Sequence, residues 1–307
     1  MKVLVTGGAG FIGSHTVDKM VARGWEVVVI DNLSTGLREN VDAGVKLIEK
    51  DIVDSSLQAV FVREKFDAVI HLAAQTAVPF SIDHPDIDCT VNLLGLVNVL
   101  EACRNTGVKR VVFASSAAVY GAADDLPIAE DAALQPSSFY GLTKLTGEKY
   151  LELYSQIHGV DSVGFRYANV YGERQGDGGE GGVVSIFTRK ISQNQNVHIF
   201  GDGGQTRDFI YVGDVAEANC QALTAPAAAV NRVYNISTQT QTSVNKLVEI
   251  LAATAGKQVE KCYAPARAGD IYHSMLANQA AVSKLNWKPN TALDEGLQRT
   301  YRSLIKQ

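Results

Sequence analysis

The sequence predicts an α/β protein, a doubly wound parallel sheet followed by a smaller C-terminal α/β substrate lobe, and three observations predict it. The chain opens on an apolar run, Lys2 to Thr6, that breaks into a glycine cluster and passes into a helical pattern. Strand-type and helix-type patterns then alternate through the first half, and the strand runs are unbroken Val/Ile/Phe stretches, as expected of parallel strands covered on both faces. The second apolar run, Glu26 to Asp31, ends in an acid about 20 residues beyond the glycines, the spacing of a Rossmann-type dinucleotide fold.

The glycines of the first turn fit two registers, Gly7-x-x-Gly10-x-x-Gly13 and Gly8-x-Gly10-x-x-Gly13. Both demand the same physics. A tight turn needs φ > 0, the backbone must approach a pyrophosphate closely, and the helix that follows offers unpaired N–H groups and a positive dipole end. An ordinary glycine-rich turn is the competing reading; the strand before it and the helix after it favour a dinucleotide. Gly24 can end that helix. At the end of the next strand, the Asp31 carboxylate accepts hydrogen bonds from an adenosine ribose and would repel a 2′-phosphate. Asn32-Leu33 supplies no cation to bind one, so NAD is expected rather than NADP.

Further strands are expected at 45–49, 67–72, 110–116 and 161–167, with helices near 11–23, 55–65, 90–106 and 139–158. The segment Gly172 to Gly182 is glycine-rich and charged, too long and polar for a simple turn, and reads as a functional loop. Helices are then expected at 183–193, 214–223, 243–254 and 293–305, with short strands near 208–212, 232–236 and 259–263; Ala225 to Ala229 reads as a short loop. The expected division is an NAD-binding domain over 1–170 and a smaller lobe over 171–307, with 206–236 returning to the main sheet.

The 307 residues suffice for a large core, and 46% hydrophobic with 20% charged residues are the proportions of an ordinary globular protein. A net charge of −5 argues against a nucleic-acid or anionic-membrane partner. Cys89, Cys103, Cys220 and Cys262 lack ligand-type spacing, so they read as small core residues in a reducing compartment, with no disulfide framework and no metal site. No signal peptide precedes the first strand and no apolar run is long enough to cross a membrane, so a cytoplasmic protein is expected.

Tyr140-Gly-Leu-Thr-Lys144 follows the helix-start signal Pro136-Ser137-Ser138. A spacing of four places phenol and ammonium on one helix face, and the positive charge favours the phenolate that a general base needs. The bland alternative is a surface aromatic–lysine pair. Ser115 and Ser116 end the strand 110–116, at the carboxyl edge where ligands bind in such sheets. One hydroxyl there can bond a substrate hydroxyl and pass its proton to Tyr140, while the other is free to cap a turn.

These motifs, together with His71-Leu-Ala-Ala74, Ser-Ser-x-x-Val-Tyr120-Gly, Phe165-Arg-Tyr-Ala-Asn169, Phe200-Gly-Asp-Gly, Gln205-Thr-Arg207-Asp208 and Arg267-x-Gly-Asp270, resemble the extended short-chain dehydrogenase/reductase family over nearly the whole chain. Within it, the likeness is greatest to enzymes that epimerise UDP-hexoses at carbon 4. The resemblance implies a tightly held NAD. The cofactor would meet Phe11 and Ile12 in the glycine turn, Asp31, Asn32, Ser34, Thr35 and Gly36 at the adenosine ribose, and Asp51 and Ile52 at the adenine. Leu72, Ala73, Ala74, Gln75, Asn92, Tyr140 and Lys144 would hold the remainder. It also implies Ser116, rather than Ser115, as the catalytic hydroxyl. A UDP-sugar substrate would have its diphosphate on Asn169, Arg207 and Arg267, its ribose on Asp270 and its uracil on His198, Ile199 and Phe200. For Arg207 a salt bridge with Asp208 is an equally good reading of the sequence. His15, His71, His84, His158 and His273 receive no role. Relatives pair the helices corresponding to 90–106 and 139–158 into a homodimer; Val91, Leu94, Val97 and Val99 fit a covered helix but do not say what covers it.

The implied activity is reversible, NAD-dependent 4-epimerisation through a transient 4-keto sugar, with UDP-glucose and UDP-galactose as the expected pair. Related 4,6-dehydratases carry an Asp-Glu pair after the catalytic hydroxyl; Ala117-Ala118 stands there and argues against dehydration. UDP-N-acetylhexosamine 4-epimerases are the nearest rivals, because Ser274, aligned with the residue that limits the sugar 2-substituent, is small. UDP-glucuronate epimerases and decarboxylases stay open, as does a non-catalytic NAD(H)-sensing protein, although such relatives lose the tyrosine or the lysine that this chain keeps.

Overall fold

The structure is a computed structural model that describes residues 1–123, 125–176, 182–266 and 271–305. Its centre is a seven-stranded sheet formed by β1 (Lys2–Thr6), β2 (Glu26–Asp31), β3 (Lys46–Glu49), β4 (Ala68–His71), β5 (Arg110–Ser116), β6 (Asp161–Tyr167) and, from far along the chain, Arg232–Ile236. Every neighbouring pair is parallel, in the spatial order Arg232–Ile236, β6, β5, β4, β1, β2, β3. Strand order reverses between β1 and β4. That is the crevice where doubly wound sheets bind ligands.

Helices cover both faces. α1 (Phe11–Ala22) lies on one face; α2 (Leu57–Glu64), α5 (Gly95–Thr106) and α6 (Phe139–His158) lie on the other. The β1 side chains are divided accordingly. Val3 and Val5 pack with Val17 and Met20 of α1, whereas Leu4 packs with Phe61, Leu96, Val99 and Leu100. This two-sided burial is why the strands show no polar alternation.

The expected helix over 90–106 is a more elaborate element. α3 (Val78–Asp83) and α4 (Pro85–Cys89) precede a π-helical turn, Thr90–Leu94, that runs without a break into α5. α3 and α4 escape a pattern reading because they are short and sequence-adjacent to prolines that reset the helix. Cys103 and Cys220 are buried thiols as expected; Cys89 departs from the expectation, standing exposed at the end of α4.

Beyond β6, β7 (Asn169–Tyr171), α7 (Val183–Ser192), β8 (Val197–Phe200), β9 (Thr206–Arg207), β10 (Phe209–Tyr211), α8 (Val212–Leu223), β11 (Arg232–Ile236), β12 (Thr242–Ser243), α9 (Val244–Ala255), β13 (Lys261–Ala264), α10 (Gln279–Leu285) and α11 (Leu293–Leu304) complete the described elements. Three two-stranded pairs, β7 with β10, β8 with β13 and β9 with β12, frame a second core of Phe187, Ile191, Val197, Ile199, Leu247, Leu251 and Leu297. Two segments return to the large sheet. α8 packs on α1, and β11 pairs with β6 from Arg232↔Val163 to Ile236↔Tyr167. Ala225 to Ala229 is a loop ending in one 3-10 turn, Ala227–Ala229.

A last connection joins the loop after β5 to the C-terminal part. The Ile128 N–H donates to the Met275 carbonyl (2.8 Å), and the Ala277 N–H donates to the Ile128 carbonyl (2.8 Å).

Candidate active site

The turn between β1 and α1 has the shape its glycines require. Gly7 adopts φ +71°, and a Cβ placed there would come within 2.6 Å of the Ala73 nitrogen. Only glycine fits that left-handed, crowded position. The segment Leu72–Ala73 is held beside it by β1 itself, since the Leu72 N–H donates to the Thr6 carbonyl (3.1 Å) and the Ala73 N–H to Thr6 Oγ1 (3.3 Å). The N-terminus of α1, at Gly10 to Gly13, has no side-chain cap and no acidic residue in its first turn. Its N–H groups and dipole therefore suit an anion, with Phe11 and Ile12 half-buried at the mouth.

Asp31 is buried at the carboxyl end of β2. Its carboxylate accepts from the Ala9 N–H (2.9 Å) and the Leu33 N–H (2.8 Å), which ties the glycine turn to the segment Asn32–Gly36. Asn32 donates to Asp51 (2.7 Å) and accepts from the Ser34 N–H, so this corner is organised before any ligand arrives. Thr35 is exposed and Gly36 buried beside it, while Ile52 is buried next to Asp51. The donors and the acid fit NAD: an uncapped helix end for the pyrophosphate, and carboxylate oxygens with spare lone pairs for ribose hydroxyls.

On the other side of the switch point, strand alternation sends Ser115 and Ser116 to opposite faces. Ser115 is buried and its hydroxyl bonds to Glu148; Ser116 is half-buried at the sheet edge, where its Oγ accepts from the Ala118 N–H (3.2 Å). α6 starts at Phe139, with Ser138 as its N-cap accepting from the Gly141 N–H (3.1 Å). The first turn of α6 rests directly on the turn after Ser116: a Cβ on Gly141 would lie 2.6 Å from the Ala118 carbonyl. This close approach sets the turn of α6 that carries Tyr140 against the turn that follows Ser116. Lys144, one helical turn later and 4% exposed, holds its Nζ 5.7 Å from the Tyr140 ring centroid and 5.1 Å from that of Phe113. Burial lowers the Lys144 pKa to about 8, with the Asp88 charge opposing the shift.

His71 has a structural part that the sequence did not suggest. It is buried at the end of β4, bonded through Nδ1 to Thr6 Oγ1 (2.8 Å) and stacked on Phe113. Burial, reinforced by the Lys144 charge, lowers its pKa to about 3. Below pH 6.5 the unfolded chain therefore takes up a proton that the folded chain refuses, so stability falls as pH falls from 6.5 towards 3. His71 alone is expected to contribute up to about 1.4 kcal/mol per pH unit in that window. Urea denaturation at pH 7, 6, 5 and 4 checks this: His71→Asn, which keeps an acceptor near Nδ1, should show a shallower loss than the unaltered protein. Equal slopes would remove His71 from the account.

Three residues the sequence left unmarked complete this side. Asp88 on α4 is fully buried and accepts from Gln75 Nε2 (2.9 Å), Asn92 Nδ2 (3.0 Å) and Thr143 Oγ1 (2.8 Å). Asn92 in turn clasps the Gln75 backbone, with Oδ1 taking the N–H (2.9 Å) and Nδ2 giving to the carbonyl (3.0 Å), while Ala74 is half-buried next to it. Behind Ser115, Glu148 and Arg166 form a two-point ion pair, each side chain 4% exposed, at 2.9 and 2.7 Å. The one available signal was Arg166 itself, a charge among the buried residues of strand β6.

The structure divides the expected sugar-nucleotide contacts. Asn169 and His198 are exposed, Phe200 is exposed and Arg207 half-buried, all on the second lobe. Ile199 is 1% exposed with its side chain in that lobe's core, which leaves only its backbone to meet a ligand. Asp208 is turned away from its neighbour. Its carboxylate is buried and accepts from the Thr238 N–H and Oγ1, the Gln239 N–H and the Leu276 N–H, so it is committed inward rather than to Arg207. Arg207 Nη1 donates to the Thr206 carbonyl (2.9 Å). Ser274 is half-buried in the strand-like segment that pairs with Ile128. Arg267 and Asp270 lie outside the described residues, as does 177–181 of the polar loop.

An uncapped helix end, a buried acid at the end of β2 and a tyrosine–lysine pair on α6 are the equipment of a dinucleotide-dependent α/β enzyme. The profile of the NAD dependent epimerase/dehydratase family matches residues 3–237, and the chain belongs to that family. It is 40% identical over 306 residues to a UDP-glucose 4-epimerase of Mycolicibacterium smegmatis, covering 98% of this chain and 97% of that one. Among solved structures, the UDP-glucose 4-epimerase of Thermotoga maritima with UDP-glucose superposes with a TM-score of 0.96 at 41% identity, covering 100% and 99% of the two chains. A UDP-N-acetylglucosamine 4-epimerase of Methanobrevibacter ruminantium, in complex with UDP-N-acetylmuramic acid, gives 0.95 at 34% identity, covering 100% and 98%. The cofactor is NAD, in keeping with the family and with the residues at the switch point. No helix among the described residues is long and apolar enough to cross a membrane.

Proposed function

We propose that the chain interconverts UDP-glucose and UDP-galactose by reversible epimerisation at carbon 4. The observation that supports this reading is the seating of the first turn of α6, which carries Tyr140 and Lys144, on the turn that follows Ser116, in a chain whose whole length follows that of a 4-epimerase structure. When bound, NAD supplies the reversible two-electron oxidation of carbon 4 to a ketone. The protein supplies the rest. Tyr140, as phenolate, takes the proton of the sugar 4-hydroxyl, and Ser116 bonds that hydroxyl and relays the proton. Lys144 keeps positive charge against the tyrosine and would hold the nicotinamide ribose of a bound NAD. Asn169, Arg207, Arg267 and Asp270 hold the nucleoside diphosphate while the sugar turns over, arginine suiting a diphosphate because its planar fork bonds two oxygens.

Proton NMR on the purified protein with UDP-galactose and UDP-N-acetylgalactosamine in one tube, first without and then with added NAD, tests the proposal. UDP-glucose should appear. Conversion of neither sugar under either condition overturns it, and conversion of the N-acetylated sugar alone moves the assignment to the second reading. That reading, a UDP-N-acetylhexosamine 4-epimerase, is supported by the small Ser274.

The working unit is proposed to be a homodimer in the cytoplasm, the compartment that four unpaired cysteines suit. α6 presents Phe139, Leu142, Tyr150, Leu153 and Ile157, spaced as one helical face and 39–67% exposed, with Leu94 at 50% at the start of α5. A continuous apolar face of this kind calls for a partner, and a second copy offers the same face in return. Sedimentation should give twice the chain mass, and Leu153→Glu with Ile157→Glu should give the single-chain mass with the fold intact. A monomer before mutation would sink the dimer.

A further inference from the structure

We propose that Asp88 is a positioning residue of the catalytic centre, a buried carboxylate that fixes Gln75, Asn92 and Thr143 and stands as the counter-charge of Lys144. This inference rests on the proposed function for its kinetic consequence, but its geometry stands alone. A fully buried charge is tolerated only when its lone pairs are filled and an opposite charge is near. Three donors from three separate segments fill them: Gln75 from the strand-to-helix loop after β4, Asn92 from the π-helical turn, and Thr143 from α6. Asp88 and Asn92 stand four residues apart, on one face of the continuous helical run, and so aim at one point. Thr143 precedes Lys144 in sequence, so Asp88 grips the backbone turn that carries the lysine.

The titratable groups that face Lys144 are few. Tyr140 and Glu148 lie on its own helix, Glu148 engaged by Arg166; His71 on β4 is neutral at ordinary pH; and Asp88 is the buried carboxylate bonded to Thr143, the residue before Lys144, where its charge favours the ammonium. Lys144 is otherwise enclosed by the rings of Phe113 and Tyr140. Removing the charge of Asp88 leaves a buried ammonium with less to offset its desolvation, and the lysine gives up its proton at lower pH.

Asp88→Asn separates charge from shape. The amide keeps one oxygen for Gln75 and Asn92. Its NH2 can donate to Thr143 Oγ1, whose own proton is already within reach of the Tyr140 carbonyl (3.0 Å). The measurement is the titration of Lys144 Cε by carbon NMR on the protein as purified, with the resonance assigned by its loss in Lys144→Met. Asp88→Asn should lower the midpoint by about one pH unit. The alkaline limb of kcat for UDP-galactose should move with it, KM changing less than kcat. Asp88→Glu and Thr143→Val keep the charge and should keep the midpoint. Asp88→Ser serves as a second neutral variant should the asparagine form fail to fold.

A folded neutral variant with an unmoved midpoint overturns the proposal, as does an equal fall in Asp88→Glu, which would mark the site as structural only. Because the lysine titration needs no turnover, an enzyme inactive on both UDP-sugars that still shows the shift would lose the proposed function and keep this inference.

Discussion

Replacing Tyr140 by phenylalanine is expected to lower epimerase turnover by about a hundredfold to ten-thousandfold, the range lost with a general base, while fold and cofactor are retained. That range corresponds to roughly 3–5 kcal/mol of transition-state stabilisation. The substitution removes one oxygen and leaves the backbone contact of Tyr140, whose N–H donates to Ser81 Oγ (3.1 Å), untouched. Nor does it disturb the Ser138 cap or the Lys144 ammonium over the Phe113 ring. Rate and bound NAD are measured on the same preparation. A variant within tenfold of the unaltered protein would remove Tyr140 as the base; a variant that loses NAD along with activity would recast it as a cofactor ligand.

Glu148→Ala is expected to cost about 3–5 kcal/mol of folding stability, because it strands a buried guanidinium. Arg166 and Glu148 are each 4% exposed, so bulk solvent is poorly placed to replace the lost carboxylate. Arg166 would keep its hydrogen bonds to Tyr120 Oη (2.8 Å) and the Glu130 carbonyl (2.9 Å) and its place over the Tyr120 ring, but no counter-charge, and the Ser115 hydroxyl would lose its acceptor as well. Against a typical total of about 5–15 kcal/mol, this is a large share. The double variant Glu148→Leu with Arg166→Met should recover much of the loss, since replacing both charges avoids the stranded one. Urea midpoints of the three proteins measure it. A loss under about 1 kcal/mol in Glu148→Ala would mean that the pair is solvated in solution and not the buried lock described above.

The parts of the molecule legible in the sequence are those whose signal is local. β1, β2, β4, β5 and β6 announce themselves as apolar runs because each is buried in the middle of the layers, and α6 is announced at its start by Ser138. The turn at Gly7 and the acid at Asp31 follow from spacing alone. What escaped is what depends on the fold bringing distant residues together. Asp88, on a five-residue helix, has no pattern to mark it until Gln75 and Thr143 are placed around it. β7, β9 and β12 are two or three residues long and exist only because a partner strand lies alongside. Arg207 illustrates the same limit. Sequence offered its neighbour Asp208 as a partner, and only the turn of that carboxylate towards Thr238 and Leu276 separates the two.

The return of β11 to the edge of β6, and of α8 to the face of α1, bears on how this gene can be cut and recombined. A fragment ending near residue 170 would encode every strand of the glycine-turn half and still be incomplete. Its β6 would become an open edge, and Val17 and Met20 would lose the cover of Val215 and Ala218. Exposed edges and bare apolar faces are what drive chains to aggregate. Shuffling a new sugar-recognition half onto this cofactor half therefore calls for exchange of loops, such as those around His198 or Ser274, with the threads between Val212 and Ile236 left in place.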